Sequence, residues 1–267
     1  MAQNLHDTWR GKWSLITGAS AGIGLELAKL LAAGGSHLVL TARRVDRLQR
    51  IAADLTNEFS VKVELFPADL VRPEAPDRIF EFTSARNIEI ELLINNAGFG
   101  AFGYVHEIPA ERMTEMIQVN CSAVVHLTRL YVAGMVERRH GDVLILASTA
   151  SFQAVPFISV YAATKAFDLS FAEGIAEELR PFGVRVCALC PGSTNTEFQR
   201  VAHQPDRAFR SAETAEKVAR VGLEALARGK SFVISGARNR LMMEAQRIAP
   251  RRFVVKTAAK IMRPSES

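Results

Sequence analysis

Apolar and polar residues along the chain alternate between two periods. Trp13-Ser-Leu-Ile-Thr17, His37 to Thr41, Val61 to Phe66, Leu92-Leu-Ile-Asn95, Asp142 to Ala147, Val184 to Cys190 and Ser231 to Ser235 are short β-rich runs. Between them lie stretches with helical spacing. Ile23 to Ala33 places Leu27, Leu30 and Leu31 on one face and stops at Gly34-Gly35. Further helices are predicted over 46–58, 73–87, 111–139, 160–179 and 213–228. Strands that alternate with helices form right-handed β-α-β units, so the predicted fold is α/β, a Rossmann-type doubly wound parallel sheet of seven strands with helices on both faces. No Pro/Gly/Ser-rich linker divides the chain. One domain over 1–236 is expected, followed by a helical extension over 237–267.

Composition is that of an ordinary globular chain, 48% hydrophobic and 23% charged. Residues 1–11 are polar and lack the apolar run of a signal peptide, and no window offers about 18 uninterrupted apolar residues. The three cysteines, Cys121, Cys187 and Cys190, suit a reducing compartment, and a cytoplasmic location is expected. Cys187 and Cys190 form a C-x-x-C on a strand, where an offset of three points the side chains to opposite faces. Buried thiols are therefore expected there, with neither a redox pair nor a metal site.

The net charge of +5 is uneven. Between Arg238 and Arg263 eight basic residues face one acid, Glu244, so that segment carries +7 and the rest of the chain −2. Nucleic-acid binding by the whole protein is not implied. Leu241, Met242, Met243 and Ile248, then Phe253, Val254, Val255 and Ile261, alternate with the bases. That pattern fits either an interfacial membrane contact or a helix pair packed over a pocket with a solvated outer face.

Two stretches carry chemistry. Thr17-Gly18-Ala-Ser20-Ala-Gly22-Ile23-Gly24 joins the first strand to the first helix. Glycines allow close backbone approach, and a helix N-terminus offers N–H groups and a positive dipole end to a pyrophosphate. The same residues match G-x-S-x-G, the nucleophile elbow of hydrolases, with Ser20 in the nucleophile place. After the second strand stands Ala42-Arg43-Arg44. An NAD-preferring site carries an acid there, whereas a guanidinium suits a 2′-phosphate, so NADP(H) is the expected cofactor. The second stretch is Tyr161-Ala-Ala-Thr-Lys165. Four residues apart on a helix, phenol and ammonium share a face. The cation favours the phenolate and lowers a pKa of about 10, which suits general acid–base work on a carbonyl or alcohol.

With these residues assembled, the chain resembles the short-chain dehydrogenase/reductase family over about Lys12 to Ser235. The resemblance rests on Thr17 to Gly24, Asp69 after the third strand, Asn95-Asn96-Ala97-Gly98 after the fourth, Asn120 inside the long helix, Ser148 after the fifth, Tyr161 with Lys165, and Pro191-Gly192 after the sixth. It implies that Tyr161 exchanges a proton with the substrate oxygen and Ser148 hydrogen-bonds that oxygen. Lys165 would lower the tyrosine pKa and bind the nicotinamide ribose, and Asn120 would hold a water linking Lys165 to solvent. Gly18, Ser20, Gly22, Ile23 and Gly24 would take the cofactor phosphates, with Ser20 and Arg43 sharing the 2′-phosphate and Arg44 a further cofactor contact. Asp69 would meet the adenine, Asn96 the adenosine side, Thr194 the nicotinamide through its backbone, and Thr196 the carboxamide. Ser193-Thr194 stands where the family often has a β-branched apolar residue. A homodimer or tetramer built on the long helices is also implied.

Phe99 to Tyr104, Phe152 to Phe157 and Ser193 to Ala212, with Phe198, Val201 and Phe209, are expected to wall a pocket for an apolar carbonyl compound, fatty or ring-bearing. Two other functions stay open: a serine hydrolase using Ser20, and an NADP-binding sensor without turnover.

Overall fold

The computed structural model describes residues 8–198 and 212–264. Val201, Phe209 and the other pocket candidates between 199 and 211 lie outside the described residues.

Seven parallel strands form one sheet: β1 (Trp13–Thr17), β2 (His37–Thr41), β3 (Val63–Leu65), β4 (Ile90–Asn95), β5 (Gly141–Leu146), β6 (Val184–Cys190) and, after two minor strands, β9 (Phe232–Ile234). Their order is β3-β2-β1-β4-β5-β6-β9. The chain runs outward from β1 to β3 and then returns to pair β4 with β1. That reversal opens a crevice at the carboxyl ends of β1 and β4. The minor strands β7 (Thr194–Asn195) and β8 (Glu213–Thr214) pair with each other.

The helices are α1 (Gly22–Ala33), α2 (Val45–Phe59), α3 (Ala75–Ala85), α4 (Ala110–Ile117), α5 (Ala123–Glu137), α6 (Ser159–Leu179), α7 (Ala215–Ala227), α8 (Ala237–Gln246) and α9 (Arg251–Met262). The period-two pattern sorts the strand residues between two cores. Leu15, Leu93, Val143, Val186 and Cys190 face α5 and α6, meeting Val124, Leu127, Leu169 and Ala172. Ile16, Leu92, Leu144, Cys187 and Leu189 face α1 and α7, meeting Leu27, Leu31, Val218 and Leu226. Cys187 and Cys190 thus occupy opposite cores as free buried thiols. Burial pushes the Cys187 thiol up to about 12.

The single helix expected over 111–139 is α4 and α5 joined by a π-helical turn, Gln118–Ser122. The apolar periodicity on either side hides the one extra residue that a π turn inserts. By length and composition Ala110–Glu137 could cross a membrane. In the fold, Met116, Val119, Leu127, Tyr131 and Met135 on this stretch pack into the core beneath the sheet.

The basic extension packs on the body. Met243 of α8 joins the core on the α6 side. Ala258 and Met262 of α9 close on Val155, Ile158 and Ala162, with Phe102, Phe157 and Tyr161 at the edge. Where α8 begins, Asn239 lies so close to Gly192 that a Cβ there would strike its amide.

Candidate active site

The β1–α1 loop turns through Gly18 and Gly22, both at positive φ (67° and 58°). At Gly18 a Cβ would also stand 2.8 Å from Asn96 Nδ2, and at Gly24 it would strike that amide and the Gly18 carbonyl. The closeness has a cause. Asn96 Nδ2 donates to the carbonyls of Thr17 (2.8 Å) and Gly18 (3.2 Å), while the Asn96 and Ala97 N–H groups donate to Thr17 Oγ1. The loops after β1 and β4 are therefore stitched together. The first turn of α1 begins at Ala21, with no side chain capping it. Its leading N–H groups, from Gly22, Ile23 and Gly24, are left to an external acceptor.

Beside this loop, Ser20 Oγ accepts from Arg44 Nε (3.2 Å) and Nη2 (3.0 Å). Arg44, not Arg43, makes this contact, and both arginines are exposed. A further residue that the sequence did not single out is Glu197, which holds Arg44 (2.7 Å) and Arg47 (2.9 Å). The two guanidiniums draw its carboxyl down to about 2, so it stays ionised at any working pH. Thr196 rests over Gly22, with Cγ2 placed 3.1 Å from where a Cβ would lie. It therefore sits over the phosphate loop. Thr194 is buried and bonds the Gly192 carbonyl through Oγ1 (3.0 Å). Asp69 accepts from the Val71 N–H through Oδ1 (3.2 Å), and the adjoining Ala68 N–H donates to Ala42 O.

These donors fit a phosphorylated dinucleotide. The α1 terminus is uncapped, the glycine cradle has no room for a Cβ, and Arg44 with Ser20 stands at the end of β2. The hydrolase alternative fares worse. The described partner of Ser20 is an arginine, which cannot accept a proton.

At the carboxyl ends of β5 and β6, Ser148 follows β5 in extended conformation. Its Oγ accepts from the Ala150 N–H (3.1 Å), and its own N–H donates to Ser151 Oγ (3.2 Å). Ser151 Oγ in turn donates to the Lys165 carbonyl (2.6 Å), which fixes this turn to α6. The Ser148 hydroxyl faces the Tyr161 phenol closely enough to favour its ionised form. Phe198 leans on the same phenol ring, with centroids 5.2 Å apart.

Lys165 is 5% exposed and donates to the Leu146 carbonyl (2.6 Å) and to Asp168 Oδ2 (2.9 Å). Asp168 is fully buried, and its Oδ1 has no partner. Sequence reasoning passed over this residue. The signal was present: 161, 165, 168 and 172 fall on one helical face. The electrostatics differ from the simple expectation. Burial raises the Tyr161 pKa most, Lys165 and the Ser148 hydroxyl lower it, and Asp168 raises it again, with a net rise. Lys165 acts in the direction expected, but desolvation outweighs it. Lys165 itself is held protonated: burial opposes its charge, and Asp168 and Tyr161 more than offset that.

Asn120 sits in the π turn, fully buried. Its Oδ1 accepts from the Phe99 N–H (3.1 Å), and Nδ2 donates to the Phe99 carbonyl (3.0 Å) and Thr164 Oγ1 (3.0 Å). The side chain thus locks the loop after β4 to α6, and both N–H donors of its amide are spent on these bonds. Gly98 allows the close approach, since a Cβ there would lie 3.1 Å from Asn120 Oδ1 and 3.5 Å from Lys165 Nζ.

Of the expected pocket wall, Phe102, Tyr104 and Phe157 come together, with Tyr104 edge-on to Phe157 at 5.2 Å. Phe157 holds a left-handed φ of 68°. Phe99 and Phe152 instead join the core, Phe99 under Arg112 at 3.9 Å and Phe152 against Phe232.

Known proteins resemble this chain in sequence and fold. The family model described as short chain dehydrogenase matches residues 12–207. A very-long-chain 3-oxoacyl-CoA reductase of Pyrenophora tritici-repentis is 36% identical over 183 residues, 66% of this chain and 53% of that protein. The chain therefore spans about half the length of that relative. A 1-deoxy-11-beta-hydroxypentalenate dehydrogenase of Streptomyces exfoliatus is 33% identical over 237 residues, 87% of this chain and 86% of that protein. Among solved structures, a short-chain dehydrogenase from Sphingobium yanoikuyae in complex with NADPH superposes with a TM-score of 0.80 at 29% identity, covering 96% of this chain and 98% of that one.

Proposed function

The chain belongs to the short-chain dehydrogenase/reductase family, and on that premise we propose that it is an NADP(H)-dependent oxidoreductase interconverting a ketone or aldehyde and an alcohol. The observation that carries this reading is the meeting of Ser148, Tyr161 and Lys165 beside the open α1 terminus at the carboxyl ends of the strands.

NADP(H) supplies the hydride. The uncapped turn at Gly22, Ile23 and Gly24 binds its pyrophosphate, and Arg44 with Ser20 binds the 2′-phosphate, with Arg43 alongside. Asp69 and Asn96 would border the adenosine side, Thr194 would meet the nicotinamide, and Thr196 would reach its carboxamide from above the phosphate loop. In reduction, the Ser148 hydroxyl orients the substrate oxygen and Tyr161 gives it a proton. A phenol whose pKa is raised by burial is protonated at neutral pH, which suits a general acid. Lys165 stabilises the phenolate that remains. Asn120 positions the loop and the π turn around it and would hold a water on the path from Lys165 to solvent, through its backbone or the second lone pair of Oδ1.

The pocket wall of Phe102, Phe157, Val155, Ile158 and Met262 suits an apolar substrate, fatty-acyl-like or ring-bearing. The substrates printed in the names of the two relatives, a very-long-chain acyl thioester and a pentalenate skeleton, agree with that class. A reducing compartment, the cytoplasm, fits the three free buried thiols. Assembly as a homodimer or tetramer through the long helices would use Ile117 and Phe167, exposed on α4 and α6.

The test is a panel of ketones and alcohols of rising chain length, followed by NADPH absorbance. Turnover with a preference for long or ring-bearing substrates supports the reading. NADPH binding without turnover on any of them would leave a sensor instead, and a preference for NADH would reject the cofactor assignment.

A further inference from the structure

Eleven large hydrophobic side chains are exposed among the described residues, and five of them fall within 241–261: Leu241 (73%), Met242 (51%), Ile248 (90%), Phe253 (65%) and Ile261 (54%). The surrounding segment, 238–263, holds the +7 charge. Its inner side is accounted for. Met243 enters the main core, and Ala258 and Met262 pack on Val155, Ile158 and Ala162. On α9 the outer face follows from helical spacing: Phe253, Lys256 and Lys260 are three and four residues apart and all exposed. Arg240, Arg251, Arg252, Lys256, Lys260 and Arg263 make no ion pair among the described residues.

We propose that the outer surface of α8, α9 and the Arg247–Pro250 connection docks this protein on an anionic lipid surface. Phe253, Ile248 and Leu241 enter the acyl boundary while the surrounding lysines and arginines meet the headgroup charge.

Each other occupant fails on one of the two features. A second copy of the chain would set +7 against +7 if the same face met itself, as a two-fold interface requires. A nucleic acid would satisfy the bases but leave the apolar tips in contact with phosphate and water. A lipid surface uses both, because interfacial helices combine a basic rim with inserted aromatic and aliphatic side chains. Location adds a consequence. The inner face of α9 packs on the cluster that the proposed function takes as pocket wall, and the exposed Tyr104 lies edge-on to Phe157 of the same cluster. Docking therefore brings the mouth of an apolar pocket close to the membrane plane. The docking claim itself does not depend on the oxidoreductase reading.

Co-sedimentation of the full chain with vesicles tests it, using phosphatidylcholine alone and phosphatidylcholine mixed with phosphatidylglycerol. Sedimentation with the mixed vesicles only is expected, weakening as salt rises. The Lys256→Glu/Lys260→Glu variant should bind more than about thirtyfold more weakly, since each lost basic side chain near the surface contributes about a fivefold factor and each added carboxylate is repelled as well. The Ile248→Ser/Phe253→Ser variant should also lose binding, and both variants should keep the turnover of a small soluble ketone. No sedimentation with either vesicle, equal sedimentation with both, or charge reversal without effect would each overturn the proposal. So would loss of binding on charge reversal alone, which would mark an adsorbed basic tail with no insertion. Self-association abolished by Phe253→Ser, with no vesicle binding, would assign the face to a second copy.

Discussion

Lys165 Nζ lies 2.9 Å from Asp168 Oδ2 and 6.0 Å from the centre of the Tyr161 ring. The ammonium that faces the phenol is therefore shared with a fully buried carboxylate. Three other groups influence this pair: Cys121 on the π turn, Cys190 at the end of β6, and Tyr161 itself. Removing the Asp168 charge takes away a contribution that raises the phenol pKa and leaves the Lys165 charge uncompensated. Asp168→Asn should thus move the Tyr161 titration to lower pH. In reduction, where the protonated phenol acts, kcat/KM should begin to fall at lower pH than in the unchanged protein; in oxidation the rate should begin to rise at lower pH. An unmoved pH profile in a folded Asp168→Asn protein would mean that the carboxylate only fills space.

The phenol itself is tested more directly. Tyr161→Phe keeps the ring against Phe198 but removes the proton. Turnover should drop by about 10²–10⁴-fold, the usual contribution of a positioned general acid. NADPH binding, followed by fluorescence quenching, should change little. Unchanged turnover would remove Tyr161 from the chemistry.

Much of this site can be read along the chain, and what cannot has a physical reason. The glycine loop, Ser148 and the Tyr161–Lys165 pair are local spacings, and the seven parallel strands follow from alternating periods. Asp168 was missed because a carboxylate on a helix is ordinarily a solvated one; its burial depends on an i,i+3 partner that is itself buried. Glu197 reaches Arg44 across a separation of 153 residues, so no periodicity announces it. The π turn changes hydrogen-bond partners without changing which residues are apolar. Phe99 and Phe152 carry the same apolar signal as Phe102 and Phe157, and only the packing separates core from pocket.

Cofactor preference should rest on Arg44. Arg44→Ala removes two hydrogen bonds to Ser20 and the guanidinium beside it. A charge-assisted bond contributes about 1.5–3 kcal/mol, so KM for NADPH should rise roughly ten- to a hundredfold while KM for NADH stays nearly constant. Glu197→Gln should act in the opposite direction, because its carboxylate competes with a phosphate for Arg44 and Arg47. Parallel changes for both cofactors in Arg44→Ala would place the 2′-phosphate elsewhere.

Stability should depend on a pair remote from the chemistry. Asp142 is 1% exposed, accepts from Arg185 Nε (2.6 Å) and Nη2 (2.7 Å), and also accepts from Trp9 Nε1 (2.8 Å). The bond to Asp142 raises the Arg185 pKa, so the arginine stays charged. Asp142→Asn breaks a pair buried on one side only. The cost should be about 2–4 kcal/mol, below the fully buried case because Arg185 keeps some water. Thermal unfolding should show Tm falling by roughly 5–10 °C, with KM for NADPH unchanged.

Substrate length should be governed from the extension. Met262 is 7% exposed and packs with Val155, Ile158 and Ala162, next to Phe157 and Tyr161. Met262→Ala removes a side chain worth about 1.5–3 kcal/mol of burial. Part of that loss appears as stability and part as the wall that a long substrate touches. The two are separable: a stability loss lowers Tm and affects all substrates alike, whereas a wall contact raises KM for long-chain ketones several-fold and leaves short ones unaffected. If KM stays flat across chain length, α9 is a cover for the core and the pocket is walled by Phe102 and Phe157 without it.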